Sequence, residues 1–171
     1  MNRPPKFKPQ LKKVEAILLA KKYIDADEKD AFEAGAAIRK GRASVVHLNT
    51  IYKWKTGGRG KGRLLDNSPS EICEALSIAA NAEHPRSAIA VLSGLYGVNT
   101  PVASAIATVI HPERYTVIDF RALISLGHDT VDNSIPFYLA YLDYCKSLAA
   151  KWQMPLRDLD RALWQWSKNQ G

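Results

Sequence analysis

Apolar residues recur at helical spacing along almost the whole chain, and this periodicity constrains the fold more than any other feature. Segments 27–40 and 43–55 show it, the first opened by Asp27 and followed by a glycine. The N-terminal part carries an apolar stripe formed by Leu11, Val14, Leu18 and Leu19. Only residues 115–118 favour an extended conformation, and strands do not alternate with helices. The pattern therefore predicts an all-α protein.

Cap and proline signals predict where the later helices begin. A capping box at Ser68–Glu71, with Pro69 at the first helical position, predicts a helix that ends near Asn81. Similar signals predict helices that begin at His84, Thr100 and Asp119, and two more over 134–151 and 155–168. The glycine-rich segment 57–62 (GGRGKG) predicts a loop, because glycines among basic groups do not sustain a helix.

The excess positive charge is confined to two short stretches. Residues 1–22 carry a net charge of +6 and residues 53–63 a net charge of +5, whereas the rest of the chain carries −4, for a total of +7. This distribution is typical of a protein that binds a polyanion, and nucleic acid is favoured over an anionic membrane. The alternative interpretation is a solvated basic tail and a flexible loop.

Several other classes of protein are excluded or disfavoured. No apolar run approaches the roughly 18 residues that a membrane span needs, and no apolar stretch with a cleavage site follows the basic N-terminus. Cys73 and Cys145 are too far apart in sequence for a CxxC motif, which favours a reduced, cytoplasmic setting. The four histidines lack the spacing of a zinc site, so we expect no metal there.

Residues 92–127 carry the most functional information. A helix ends near Leu95, a tight hairpin follows at Tyr96–Asn99, and after a helix of small residues an extended strap leads to Asp119 at the start of another helix. Such a hairpin directs backbone N–H groups and a helix N-terminus outward, where they can hold a phosphate without reading base sequence. The other interpretation of this hairpin is an ordinary turn between helices.

This segment resembles the helix-hairpin-helix/Gly-Pro-Asp superfamily of base-excision DNA glycosylases. Its hairpin pattern is matched by Leu95, Gly97, Val98 and Ala103, and its strap by Val117, Asp119 and Arg121. The second glycine of the family's hairpin is Asn99 here, a residue that also tolerates a left-handed backbone. The resemblance implies a fold of two helical lobes with an interlobe cleft. One lobe would span residues 26–115 and end in the hairpin, and the other would combine 1–25 with 116–171.

The resemblance also implies a mechanism. The lysine nucleophile of the family's bifunctional members would fall at position 101, which is Pro101 here. Without that amine, water is the expected nucleophile and Asp119 is expected to stabilise an oxocarbenium-like sugar. The minor alternative is that Lys53, Lys55 or Lys61 supplies the nucleophilic amine in place of water. The simplest alternative role of Asp119 is helix capping, which is compatible with the catalytic one.

The resemblance and the charge pattern together predict further residues that contact DNA or stack against a base. DNA contacts are expected from the hairpin and from the basic segment: Gly97, Val98, Asn99, Thr100, Lys53, Lys55, Arg59, Lys61 and Arg63. Tyr52, Trp54 and Tyr96 are candidates to stack against an extruded base, with core packing as the alternative for each. For Phe120, packing is favoured and contact with a base is the alternative, whereas the tryptophans of the last two helices are expected to pack in the core or between domains.

The resulting hypothesis is a monofunctional DNA N-glycosylase that hydrolyses the bond between a flipped, damaged or modified base and deoxyribose. We expect a cytoplasmic monomer, nucleoid-associated in a prokaryote, that acts on double-stranded DNA. It would use no metal and no iron–sulfur cluster, because two cysteines cannot build one. Whether the hairpin binds a monovalent cation is left open. The alternatives are a non-catalytic DNA-binding protein with the same hairpin and a related glycosylase acting on RNA or a nucleotide.

Overall fold

The computed structural model describes residues 5–171, and 67% of the chain is helical with no strand among those residues. The all-α prediction is therefore confirmed. The helices are α1 (Lys13–Lys22), α2 (Glu28–Arg39), α3 (Val45–Thr56), α4 (Pro69–Asn81), α5 (Pro85–Ser93), α6 (Thr100–Ile110), α7 (Phe120–Ser125), α8 (Ile135–Trp152) and α9 (Leu156–Gln170), with a 3-10 helix at Lys61–Asp66. In the part of the chain that is described, no helix is long and apolar enough to cross a membrane.

Local signals account for several helix starts. The capping box before α4 is complete: the Ser68 hydroxyl accepts from the Glu71 N–H at 3.2 Å, and the Glu71 carboxylate accepts from the Ser68 N–H at 2.7 Å. These hydrogen bonds lower the pKa of Glu71. Ser134 caps α8 through its hydroxyl, which accepts from the Phe137 N–H. At α2, Asp27 occupies the N-cap position, but its side chain makes no capping hydrogen bond.

The chain divides into two compact units. The central unit is Asp25–Tyr115, and the terminal unit combines the described residues up to Ile24 with Thr116–Gly171. Helix α6 is the core of the central unit, since all of its residues except Pro101 are buried. Gly35 of α2 lies against it so closely that a Cβ atom there would be 2.1 Å from the Val109 carbonyl oxygen. Small residues on both helices permit this approach.

Helices α1, α7, α8 and α9 form the terminal unit, with α9 packed against α1 and α7. The extended strap Thr116–Ile118 is buried there, and two buried tyrosines of α8 hold it. The Tyr138 hydroxyl donates to the Thr116 carbonyl at 3.0 Å, and the Tyr141 hydroxyl donates to the Val117 carbonyl at 2.9 Å. These two hydrogen bonds fix the strap, so that Asp119 lies at the start of α7.

The predicted apolar stripe of α1 is wrong in part. Leu11 and Leu19 are buried as expected, but Val14 is 72% exposed and Leu18 is 56% exposed. Ala16 is fully buried instead, because the face of α1 that meets α9 is the one carrying Ala16 and Leu19. A helix of ten residues buries a single narrow face, so apolar side chains outside it stay in contact with solvent.

Candidate nucleic-acid interface

The segment between α5 and α6 is a tight hairpin whose conformation requires glycine at position 97. Gly97 has φ +80°, in the left-handed region, and a Cβ atom there would lie 3.1 Å from the Arg63 Cβ and 3.3 Å from the Leu64 nitrogen. Any side chain would therefore meet both an unfavourable backbone conformation and the 3-10 helix. Asn99, in contrast, is extended with φ −89°, so the left-handed conformation expected there is absent.

Two backbone N–H groups of this hairpin are left for an outside acceptor. The Tyr96 N–H donates to Asn67 Oδ1 at 2.9 Å, and the Val98 N–H donates to the Leu95 carbonyl at 3.1 Å. Within residues 5–171, the N–H groups of Gly97 and Asn99 have no hydrogen-bond acceptor. Both precede α6, and the positive end of its helix dipole favours an anion at the same place.

Asn99 is itself the N-cap of α6. Its Oδ1 accepts a hydrogen bond from the Val102 N–H at 3.1 Å, so α6 begins at Thr100 and Pro101 is its second residue. The predicted cap at Thr100 is thus displaced by one position. Thr100 is only 4% exposed and Val98 only 6%, so neither side chain reaches solvent. Contacts of these two residues to DNA would therefore be made by their backbone, as the sequence predicts for the hairpin.

Asn67 and Tyr52, two buried residues of the central unit, hold the hairpin in place by hydrogen bonds. The buried Asn67 amide donates to the carbonyls of Tyr96, at 3.0 Å, and of Leu64, at 3.2 Å, in addition to accepting the Tyr96 N–H. The Tyr52 hydroxyl donates to the Gly97 carbonyl at 3.3 Å. The role of Asn67 is not predictable from the sequence, because a lone asparagine before a capping box carries no signal of a distant partner.

The basic segment lies directly against this hairpin. Residues 57–60 form turns, in agreement with the loop predicted over 57–62, but its last two residues begin the 3-10 helix Lys61–Asp66, which the buried Leu64, 3% exposed, anchors to the central unit. Arg59, Lys61 and Arg63 are exposed, and none of them forms an ion pair with an acidic residue among the described positions. The Arg59 guanidinium donates only to the Thr56 carbonyl, at 3.1 Å. Arg63 thus lies against the hairpin at Gly97, Arg59 and Lys61 precede it in the same exposed segment, and no acidic residue among the described positions neutralises the three charges.

The two lysines of α3 differ from these cations. Lys53 Nζ lies 2.9 Å from Asp27 Oδ1, and this carboxylate raises the pKa of Lys53. The charge of Lys53 is thus neutralised by a residue that was predicted to cap α2, and whose backbone there is helical rather than in the extended conformation of a capping residue. Lys55 is half-buried and also has partners within the protein. Neither lysine resembles the unpaired cations of the 3-10 segment.

Of the three aromatic residues predicted to stack against a base, one is well placed. Tyr52 is 4% exposed and belongs to the core, so its predicted stacking role is ruled out in favour of packing. Trp54 is half-buried, with its ring edge-on to Phe32 at a centroid distance of 5.9 Å. Tyr96 is 66% exposed in the hairpin. A fourth aromatic residue, Phe120, for which packing was favoured, is 54% exposed.

In the terminal unit, Asp119 is the N-cap of α7. Its Oδ1 accepts from the Ala122 N–H at 2.9 Å, which is the capping geometry expected from the sequence. The side chain is half-buried, so the carboxylate is partly accessible to solvent, and it has further interactions with neighbouring groups. Burial raises the pKa of Tyr141 behind the strap, and the negative charge of Asp119 adds a smaller contribution in the same direction.

The N-terminal basic stretch also belongs to the terminal unit. Residues 5–10 have no helix or strand, and the backbone N–H groups of Lys8 and Gln10 donate to the carbonyls at the end of α7, those of Leu126 and Ser125. Phe7 points into an aromatic cluster, whereas Lys6 and Lys8 on either side of it are exposed. Residues 1–4 of the basic stretch 1–22 lie outside the described residues.

The cysteines and acidic side chains offer no metal centre in the described ranges. No group of three or more potential ligands occurs among residues 5–171. Both cysteines are free, and burial raises the pKa of the Cys145 thiol well above its usual range, so its thiolate is not available as a nucleophile. Comparison of the chain with known protein families, with curated proteins and with solved structures found no match.

Proposed function

We propose that this protein binds the phosphate backbone of double-stranded DNA and excises a damaged or modified base by hydrolysis. The proposal is carried by one observation: within residues 5–171 the N–H groups of Gly97 and Asn99 have no acceptor, and the hairpin lies against Arg63, which belongs with Arg59 and Lys61 to an exposed segment of unpaired cations. Directed backbone donors and mobile positive side chains are what a phosphate requires. Because these contacts involve no base edge, binding is independent of sequence.

In the proposed reaction, Asp119 provides the negative charge that the sugar requires as its base departs. The bond between C1′ and the base nitrogen breaks with its electron pair leaving on the base, and positive charge develops on the sugar ring. A water molecule then adds to C1′ and loses a proton, while the departing base gains one. The product is an abasic site in an intact strand, because Pro101 offers no amine for a covalent intermediate.

The decisive variant is Asp119→Asn. Asparagine caps helices as well as aspartate, so α7 should persist while the charge is lost. On duplexes carrying alkylated, deaminated or oxidised bases, followed by alkali, we expect strand breaks from the wild type and a loss of roughly 10²–10³-fold in single-turnover rate for the variant. Asp143→Asn, an exposed aspartate of α8, is the matched control and should retain full activity.

Three outcomes would contradict the proposal. Strand breaks without alkali would indicate an amine nucleophile and a lyase reaction. Full turnover by Asp119→Asn would restrict Asp119 to capping. No excision from any of the damaged duplexes by the wild type would remove the enzymatic step altogether.

A second candidate function is DNA binding without catalysis. The observation that favours it is that the hydrogen bond from the Ala122 N–H gives Asp119 a sufficient structural reason to be present. A non-catalytic protein would bind the damaged and undamaged duplexes equally and release no base, so the same assay distinguishes the two candidates.

A further inference from the structure

Phe120 begins α7 immediately after Asp119, and its ring is exposed for more than half of its area. A large apolar side chain in this position is costly to leave in water, and α7 has no need of it for packing. The sequence favours packing for Phe120, with contact to a base as the alternative. Its exposure next to the candidate catalytic carboxylate leaves the side chain available to a partner.

Phe120 is one member of a surface of alternating rings and cations. The Arg121 guanidinium lies over two rings, 5.1 Å from the Phe120 centroid and 5.6 Å from the Trp164 centroid. Lys168 Nζ also lies close to this second ring, 5.0 Å from the Trp164 centroid. We call these four residues, Phe120, Arg121, Trp164 and Lys168, the aromatic–cation surface. Because all four belong to the terminal unit, the arrangement is fixed within one compact body.

The two cations of this surface are held by rings rather than by carboxylates. Within residues 5–171, neither Arg121 nor Lys168 forms an ion pair with an acidic side chain. The neighbouring Arg161, by contrast, is paired with Asp158 at 3.1 Å. The positive charge of the aromatic–cation surface therefore remains available to an anionic partner, while the exposed part of Phe120 offers it a flat apolar surface.

A partner that satisfies both features carries aromatic rings and negative charges at short intervals. A nucleic-acid strand with an unpaired base meets this description, since each base has a π-face and each nucleotide a phosphate. An apolar protein partner would leave the two cations unsatisfied, and a simple anion would leave the Phe120 ring in water. The chemistry thus favours an unpaired nucleotide.

We propose that the aromatic–cation surface binds an unpaired base of DNA, with Phe120 stacking on the base and Arg121 and Lys168 neutralising the adjoining phosphates. This inference rests on the proposed function in one respect: it takes DNA as the partner and so brings the unpaired nucleotide to the residue that follows Asp119. It adds a preference for extruded or unpaired bases that the hairpin, which contacts only the backbone, does not provide.

The test compares two probes of the same length and sequence, a fully paired duplex and a duplex with one unpaired thymine. Loss of one stacked base weakens binding by about tenfold or more, so we expect Phe120→Ala to lose about tenfold in affinity for the bulged duplex only. Phe120→Trp should restore binding, whereas Phe120→Leu, which keeps apolar area but no π-face, should not. Ile124→Ala, 40% exposed on the next turn of α7, is the matched control.

Three results would overturn the inference. These are unchanged affinity of Phe120→Ala for the bulged duplex, full affinity of Phe120→Leu, and an equal loss on the paired and bulged duplexes. Thermal unfolding of each variant checks that the terminal unit is intact. No base excision is measured, so a selective loss in Phe120→Ala would support the surface even if Asp119→Asn showed that no glycosylase reaction occurs.

Discussion

The two helix N-caps at the centre of the proposal, Asn99 of the central unit and Asp119 of the terminal unit, have the same geometry and opposite electrostatics. Each has an extended backbone, and each side-chain oxygen accepts from the N–H three residues on, at 3.1 Å for Asn99 and 2.9 Å for Asp119. Asn99 satisfies this donor without adding charge. Asp119 adds a full negative charge at the start of its helix.

This difference indicates what each helix start is suited to do. A neutral cap leaves the positive end of α6 available for an external anion, and the free N–H groups of Gly97 and Asn99 point to the same use. A charged cap repels a phosphate but attracts a cationic transition state. Helix capping by itself requires neither a neutral nor a charged side chain in particular, because asparagine and aspartate cap almost equally well.

The largest change expected in binding comes from removing the cations beside the neutral cap. With Arg59, Lys61 and Arg63 changed to glutamine, the slope of log affinity against log salt should fall by roughly 0.9 for each phosphate that is no longer neutralised. Fluorescence anisotropy with an undamaged duplex over a range of salt concentrations measures this slope. The control replaces Lys29, Lys40 and Arg86, exposed cations elsewhere in the central unit, and should change the slope little. Equal slopes for the two triple variants would exclude the 3-10 segment as the binding site.

A smaller change is expected when the hairpin itself is distorted. Gly97→Ala forces a Cβ atom into the left-handed region and against Arg63, so the free energy of unfolding should fall by about 1–2 kcal/mol and duplex affinity should fall with it. Gly41→Ala is the matched control, because Gly41 has the same φ of +80° but nothing within 4 Å of the added atom. Chemical denaturation and anisotropy measure the two effects. If Gly41→Ala reduced duplex affinity equally, the weaker binding of Gly97→Ala would be a general consequence of strain.

The smallest effect on stability and duplex affinity is expected when the N-cap of α6 is given the same charged side chain as the N-cap of α7. Asn99→Asp should stabilise α6 by about 0.3–1 kcal/mol, because a negative charge at a helix N-terminus is favourable. The same charge should repel a phosphate at the Gly97 and Asn99 N–H groups and weaken duplex binding. Melting temperature and duplex affinity should thus move in opposite senses. A variant that is more stable and binds DNA with unchanged affinity would show that no phosphate occupies the hairpin.

Local signals predicted the helix starts well, because a cap acts on amides within one turn. The capping box at Ser68, the proline after His84 and the aspartate at position 119 each needed no knowledge of the rest of the chain. The same holds for the sharp turn at Gly97, since only glycine adopts its backbone conformation at low cost. The left-handed conformation expected at Asn99 came from the resemblance, which has a glycine at that position, whereas here Asn99 is the extended N-cap of α6.

Exposure and pairing could not be predicted in this way. Val14 and Leu18 were expected in the core, packing was favoured for Phe120 and Lys53 was expected on a phosphate, yet the first three are exposed and Lys53 pairs with Asp27. Each outcome depends on which distant segment lies opposite the side chain. Helical periodicity predicts which residues share one face of a helix. It does not predict which segment packs against that face or how much of the face is buried.

The amino-acid sequence by itself determined the helical class, the helix starts, the glycine turn and the uneven distribution of charge, because these depend on residues within a turn or on composition. The tertiary structure alone decided which cations stay unpaired, that Asn67 and Tyr52 brace the hairpin, and that Phe120 joins Arg121 and Trp164 at the surface. Contacts between residues about 30 or more positions apart arise only when helices pack, and that packing selects which side chains are buried and which stay free to bind.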